Sequence, residues 1–207
     1  LSVSLLNANV KTWCISAVSE NDKTERLKYI SPIFVHKGEK MISFYEIDDD
    51  YIDYLRQFDN KILSTKDGNR KYSRKYIGIM MHNHDRKYFI PLSSYKPKTY
   101  DNMYESKSLK KIGNMAVLRI NNMIPVIDEV IHKVNFNSIT DQNYKCLLQS
   151  EYRIIKSREK EIRTDSRIIY FYRLNDKNKD KGLYNLCCDY KLLEEKSKEY
   201  MKYKDAH

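Results

Sequence analysis

The chain has 207 residues, 41% of them hydrophobic, with only 5 Gly and 4 Pro, so a packed core is expected and a low-complexity chain is excluded. No apolar run approaches the ~18 residues of a membrane-spanning helix. Its four cysteines (Cys14, Cys146, Cys187 and Cys188) form no C-x-x-C pair and no zinc-ligand spacing, so reduced thiols in a cytoplasmic protein are expected. The formal net charge of +10, with a pI of about 9.2, suits an anionic partner, either nucleic acid or a membrane surface, or else a solvated basic surface.

Residues 1–40 show no sustained period of 2 or 3.6. They end in Lys37-Gly38-Glu39-Lys40, which A- and G-rich codons can encode as a ribosome-binding string just before Met41. The expectation is a translated upstream leader over 1–40, or an N-terminal appendage, and a folded domain over 41–207. From Met41 the patterns sharpen. "ISFYEI" (42–47) reads as a strand. Asp48, Asp49 and Asp50 offer an N-cap to a short helix whose apolar face is Tyr51, Tyr54, Leu55 and Phe58. A polar, basic loop follows over 61–74. "KYIGIMMH" and "RKYFIPL" read as two strands around "NHD" (83–85), a hairpin. "MAVLRI" (115–120) and "MIPVI" (123–127) read as a further strand pair. Tyr144, Leu147, Leu148, Tyr152 and Ile155 set a helical period within 140–163. After a polar loop (175–182), "LYNLCC" reads as a short strand, and Asp189 caps a last helix through "LLEEKSKEYMKY". Strands first and helices mostly later predict an α+β domain: a twisted antiparallel sheet, partly open and barrel-like, flanked by helices.

The hairpin brings chemistry together. With a three-residue loop centred on His84, Arg74 faces Ser94 and Tyr76 faces Leu92. A shift of one residue changes the partners but not the end of the hairpin. The basic stretch "NRKYSRK" and the stretch "LSSYK" then share one end of the sheet. Guanidinium, ammonium and hydroxyl groups gathered there suit a phosphate. RNA carries its own nucleophile, the 2′-hydroxyl, so such a cluster can promote cleavage by placement and charge stabilisation without metal. There are 18 Tyr against 6 Phe and 1 Trp, a composition that suits a base-stacking surface and also arises in AT-rich genomes.

The ordered set "ISFYEIDDDYIDYLRQFDNK", "YIGIMM", "PLSSYK", "INNMIPVIDEV", "NYKCLL" and "CDYKLLEEK" resembles the ToxN/AbiQ family of type III toxin–antitoxin endoribonucleases, from Met41 to about Tyr203. The resemblance implies a compact α+β fold and metal-independent RNA cleavage that leaves a 2′,3′-cyclic phosphate, with no cofactor. It implies inhibition by a repetitive, pseudoknotted RNA antitoxin and a role in phage defence by abortive infection. It carries catalytic expectations onto Ser93, Ser94 and Lys96. Arg74 stands where a member of the family has Lys, and Tyr72 lies two residues from the family's tyrosine. Lys75, Tyr95, Lys98, Lys110, Lys111 and Lys145 are the candidate RNA contacts.

Other candidates are weaker. His82-x-His84-Asp85 is a poor metal motif at a turn. His132 has no partner evident in the sequence. Cys187-Cys188 suits packing better than catalysis. The charge runs "KSLKK" and "KNKDK" suit solvated faces or an RNA backbone. The alternative to an enzyme is a noncatalytic RNA-binding protein using the same basic, Tyr-rich surface.

Overall fold

The computed structural model describes residues 42–65, 71–81, 86–102 and 104–206. The expected leader, together with His82, His84 and Asp85, lies outside them. Among the described residues, seven strands form one antiparallel sheet: β1 (Phe44–Ile47), β2 (Tyr76–Met81), β3 (Arg86–Ser94), β4 (Leu109–Ile112), β5 (Ala116–Arg119), β6 (Ile124–Pro125) and β7 (Ile131–Lys133). The order is β4-β5-β3-β2-β1-β7, with β6 paired to β3 off this path, and the sheet does not close. The α+β class and the open antiparallel sheet are as expected.

Strand β3 organises the sheet. On one side it pairs with β2, from Met81↔Arg86 to Tyr76↔Pro91. On the other it meets β6 at Tyr88 and Phe89, then β5 at Leu92, Ser93 and Ser94. The register sums to 167 and four residues separate the strands, so Tyr76 faces Pro91 rather than Leu92. The expected pairing is off by one, and the two strands still end together. "MAVLRI" and "MIPVI" do not pair with each other. A 3-10 turn over Ile120–Asn122 separates them, and each pairs with β3 instead. Gly78 lies where β1, β2 and β3 run side by side. A Cβ there would come within 3.1 Å of both the Tyr45 and Phe89 rings. Those rings meet edge to face over it at 5.2 Å, covering backbone that a glycine leaves bare.

The helices are α1 (Asp49–Arg56), the one-turn α2 (Pro97–Tyr100), α3 (Gln142–Ser157), α4 (Glu159–Leu174), α5 (Gly182–Leu186) and α6 (Tyr190–Ala206). The stretch read as one helix over 140–163 is two. Arg158 leaves helical geometry, with φ −104° and ψ 12°, and its guanidinium is held by the Lys111 carbonyl and by Glu105 and Glu161. The stretch read as a strand, "LYNLCC", forms α5 instead, with Cys187 and Cys188 fully buried. A short apolar run does not distinguish the two by periodicity. Asp189 does cap α6, accepting from the Leu192 amide at 3.3 Å. Asp48 stands at the N-cap of α1 but makes no cap bond. Its carboxylate meets His132 Nε2 at 2.6 Å, the partner that the sequence did not reveal.

Among the described residues, most tyrosines are buried in the fold rather than spread on a stacking surface. Tyr51, Tyr76, Tyr88, Tyr190 and Tyr200 are among the largest fully buried side chains. Each ring buries apolar area, and its hydroxyl needs an acceptor. Tyr51 donates to the Pro125 carbonyl at 2.9 Å and Tyr190 to the Asn121 carbonyl at 3.2 Å. Tyr88 and Tyr170 both donate to Glu194 of α6, at 2.7 and 2.8 Å, and Arg86 pairs with the same carboxylate.

Candidate active site

The shared end of β2 and β3 opens into a cleft of about 310 Å³, at the small end of the range for ligand pockets. One wall comes from Lys71, Tyr72, Ser73, Arg74 and Lys75, then Leu92, Ser93 and Ser94. Met115 and Ala116, at the β4–β5 turn, close it below. The turn is tight because Gly113 takes a φ of +55°, a conformation that suits glycine. The facing wall is α3, through Tyr144, Leu147, Leu148 and Glu151.

Arg74 is 3% exposed and acts as a bracket. Its Nε and Nη2 donate to the Ser64 carbonyl at 3.1 and 2.9 Å. Its Nη1 donates to the Leu92 carbonyl at 2.7 Å and to Ser93 Oγ at 3.2 Å. A Ser93 hydroxyl that accepts from a cation keeps its own proton for another acceptor. Ser94, one residue on, is exposed at the mouth. Its backbone pairs with Ala116, so the hydroxyl rides on a fixed strand end. Lys75 is also buried. It pairs with Glu46, donates to the Ser73 carbonyl at 3.1 Å, and stands 5.5 Å over the Tyr144 ring.

Tyr72 lies flat on Tyr144, with ring centroids 3.7 Å apart and planes 4° from parallel. Its hydroxyl donates to Asp141 Oδ2, and Lys71 reaches the same oxygen at 3.0 Å. Asp141 is also the N-cap of α3, accepting from the Tyr144 amide at 3.0 Å. The Tyr72 hydroxyl, the Tyr144 amide and the Lys71 ammonium together hold that carboxyl well below the usual carboxylate range. One aspartate thus pins the basic segment to the helix across the cleft.

Of the catalytic candidates, the cleft gathers Tyr72, Arg74, Ser93 and Ser94, with Lys75 beside them. Lys96 is exposed two residues past Ser94, at the start of α2, and is not among the lining residues. The Tyr95 hydroxyl donates to Asp101 at 2.8 Å, and Lys98 is exposed on α2. Lys145 lies next to Tyr144 outside the lining. Lys111 is half-buried, with its ammonium 3.4 Å from the Asp101 carbonyl. Lys110 is 5% exposed and pairs with Glu161 and Asp165, both at 2.7 Å, so it holds β4 to α4 rather than facing solvent. Buried lysine is costly unless paired, and a charge run in the sequence does not reveal such partners.

Sequence reasoning placed Lys71 at this end only as part of the basic stretch "NRKYSRK", and missed Met115, Asp141 and, above all, Glu151. Glu151 is 5% exposed and makes no hydrogen bond or ion pair among the described residues. Burial pushes its carboxyl up to about 7. A signal for it exists: Tyr144, Leu148, Glu151 and Ile155 form one stripe of α3, and glutamate is the wrong residue type for that stripe. Among the described residues, no three His, Cys, Asp or Glu side chains gather as metal ligands.

Residues 43–198 match the family described as Toxin ToxN, type III toxin-antitoxin system. The chain is 32% identical over 166 residues to Endoribonuclease ToxN of Bacillus thuringiensis subsp. kurstaki, which covers 76% of this chain and 83% of that one. It is 31% identical over 176 residues to Endoribonuclease AbiQ of Lactococcus lactis subsp. lactis, covering 78% and 90%. One similar solved structure comes from work on selective toxin inhibition by a non-coding RNA pseudoknot. It has a TM-score of 0.67 and 30% identity, and the match covers 78% of this chain and 99% of that one. Another is AbiQ, a lactococcal anti-phage endoribonuclease of a type III system, with a TM-score of 0.66 and 29% identity over 79% and 99%. The expected family resemblance is thereby established: this chain belongs to the ToxN family of type III toxin–antitoxin toxins.

Proposed function

We propose that the protein is an RNA-cleaving toxin whose reaction takes place in the cleft at the shared end of β2 and β3. The observation that carries this reading is the placement of Ser93 and Ser94 on a rigid strand end beside a guanidinium and an ammonium. The attacking group is the RNA 2′-hydroxyl. Its oxygen bonds to phosphorus, the bond from phosphorus to the 5′-oxygen breaks, and a 2′,3′-cyclic phosphate remains. The 2′-hydroxyl loses a proton and the departing 5′-oxygen gains one. Ser94 and Ser93 donate to the phosphoryl oxygens, where charge builds in the transition state. Arg74 is a positioning residue: it holds Ser93 and the strand end, and a guanidinium does not give up its proton. The proton for the 5′-oxygen therefore comes from an ammonium or a hydroxyl, Lys75, Lys96 or Ser94. None of these steps requires a metal or a cofactor.

A relative's structure concerns toxin inhibition by an RNA pseudoknot. By that likeness and by the +10 charge, a structured noncoding RNA is the proposed antitoxin and phage defence the proposed role. One assay tests both parts. Ser94→Ala should cut RNA cleavage ~10²–10³-fold, the loss of about 3–4 kcal/mol of transition-state contact, at unchanged Tm. Wild-type cleavage should persist in EDTA. It should be blocked by RNA transcribed from the DNA upstream of the Met41 codon, and not by a scrambled RNA of equal length. Full activity in Ser94→Ala, or cleavage that stops on chelation, would sink the catalytic reading. Equal inhibition by both RNAs would sink the antitoxin reading.

A further inference from the structure

The two walls of the cleft differ in chemistry. The strand wall carries the cations and hydroxyls. The α3 wall presents Tyr144, Leu147 and Leu148, faced by Met115, and within that apolar surface stands one carboxyl, Glu151. A ligand pocket commonly has this make-up, an apolar lining with a few polar groups that fix orientation. A nucleotide has the matching make-up, with a charged phosphate at one side and a flat base with a polar edge at the other. With the phosphate at the strand wall, the base falls against α3.

Glu151 is unlike the other buried charges among the described residues. Lys110, Lys75 and Glu194 are each buried and each paired. Glu151 is as buried as they are and makes no hydrogen bond or ion pair among the described residues. Only burial acts on its carboxyl, with no cation to offset it, which sets it apart from the phosphate-binding cations. A buried polar group without a partner is costly, and a leucine at this point of the stripe would avoid the cost.

We propose that Glu151 is the base-reading residue of the cleft: its carboxylate accepts from the amino-bearing edge of one RNA base beside the scissile phosphate and so selects adenine, cytosine or guanine over uracil. This rests on the cleft being the RNA site. An exocyclic amino group gives the carboxylate a donor, as glutamate finds at cytosine N4. Uracil offers a single N–H between two carbonyls, so the second carboxylate oxygen meets an oxygen. Unpaired RNA bases are recognised by hydrogen bonds at such edges.

The test is cleavage at pH 8 of short RNAs in which each position around the mapped cut is varied among the four bases. Wild type should prefer an amino-bearing base at one position by ~10- to 100-fold in kcat/KM, the discrimination of a well-paired base edge. In Glu151→Leu that ratio should fall toward one at that position alone. Should Glu151→Leu fail to fold, Glu151→Gln decides, because its amide presents a donor beside its acceptor and accommodates uracil. No base preference in wild type, or an unchanged ratio in the folded variants, overturns the proposal. So does an equal loss of rate on every RNA, which would assign the carboxyl to proton transfer. Ser94→Ala on the same RNAs separates the two readings. Undiminished cleavage by that variant removes the chemistry from the cleft. Slowed cleavage, beside an unchanged ratio in Glu151→Leu, removes only the base reading.

Discussion

Glu194 and Glu151 are two glutamates on helices, 7% and 5% exposed, facing the same sheet from different places. Glu194 accepts from Tyr88 and Tyr170 and pairs with Arg86. Glu151 accepts from nothing among the described residues. The first carboxylate joins β3, α4 and α6 through three donors, so its burial is offset. The second is held without offset, beside a cleft. Equal burial of one residue type thus separates a region built for stability from a region where stability is given up, as strained or unsatisfied groups at functional sites commonly are.

The comparison breaks most visibly at Glu194. Glu194→Ala leaves two buried hydroxyls and a guanidinium without their acceptor, and removing one partner of such a network costs about 3–5 kcal/mol. Urea denaturation should show this loss. A change below about 1 kcal/mol would mean that the tyrosines find other acceptors.

Glu151 should respond with the opposite sign. Its folded carboxyl titrates near 7 against an ordinary 4.5. Between those values the native state holds a proton that the unfolded chain has released. Stability therefore falls as pH rises through that window, by about 3 kcal/mol in all. Glu151→Gln removes the titration. The variant should match wild type near pH 4.5 and exceed it by up to about 3 kcal/mol at pH 8. A stability difference that does not change between those pH values would show that the carboxyl is not desolvated in the native state.

The smallest effect belongs to Asp141, which joins the two walls. Asp141→Ala loses the N-cap of α3, about 1 kcal/mol. It also frees Tyr72 and Lys71. Cleavage should fall by more than this modest loss predicts, when Tm and rate are measured on the same preparation. Wild-type cleavage in the variant would show that the Tyr72–Tyr144 stack holds the wall without the aspartate.

The sequence showed the strand wall and hid the helix wall, for a physical reason. Arg74, Lys75, Ser93 and Ser94 lie on a hairpin, where a short connection and alternating strands bring residues together locally. A register error of one left them at the same end. The period of α3 places Tyr144 and Glu151 on its apolar stripe, but that this stripe docks opposite the hairpin is set by tertiary packing, which no local period encodes. The same limit explains Lys110, read as part of a charged surface and found between Glu161 and Asp165. It also explains the tyrosines, whose number suggested a stacking surface, while the placement of their hydroxyl acceptors makes most of them core. The apolar face of α1 was legible at Tyr51, Tyr54 and Leu55, because amphipathic periodicity records burial directly, while Phe58, counted on the same face, lies past the end of the helix and is exposed.

The two walls come from distant parts of the chain. Residues 71–94 supply one, and α3 supplies the other only from Tyr144 onward. On the ribosome the chain emerges from its N-terminal end. A nascent chain that has released the β2–β3 hairpin has its serines and its arginine in place but no opposite wall. The cleft becomes whole only after Glu151 has left the exit tunnel and α3 has docked. A nuclease laid out in this order has no complete cleft until both walls have been translated.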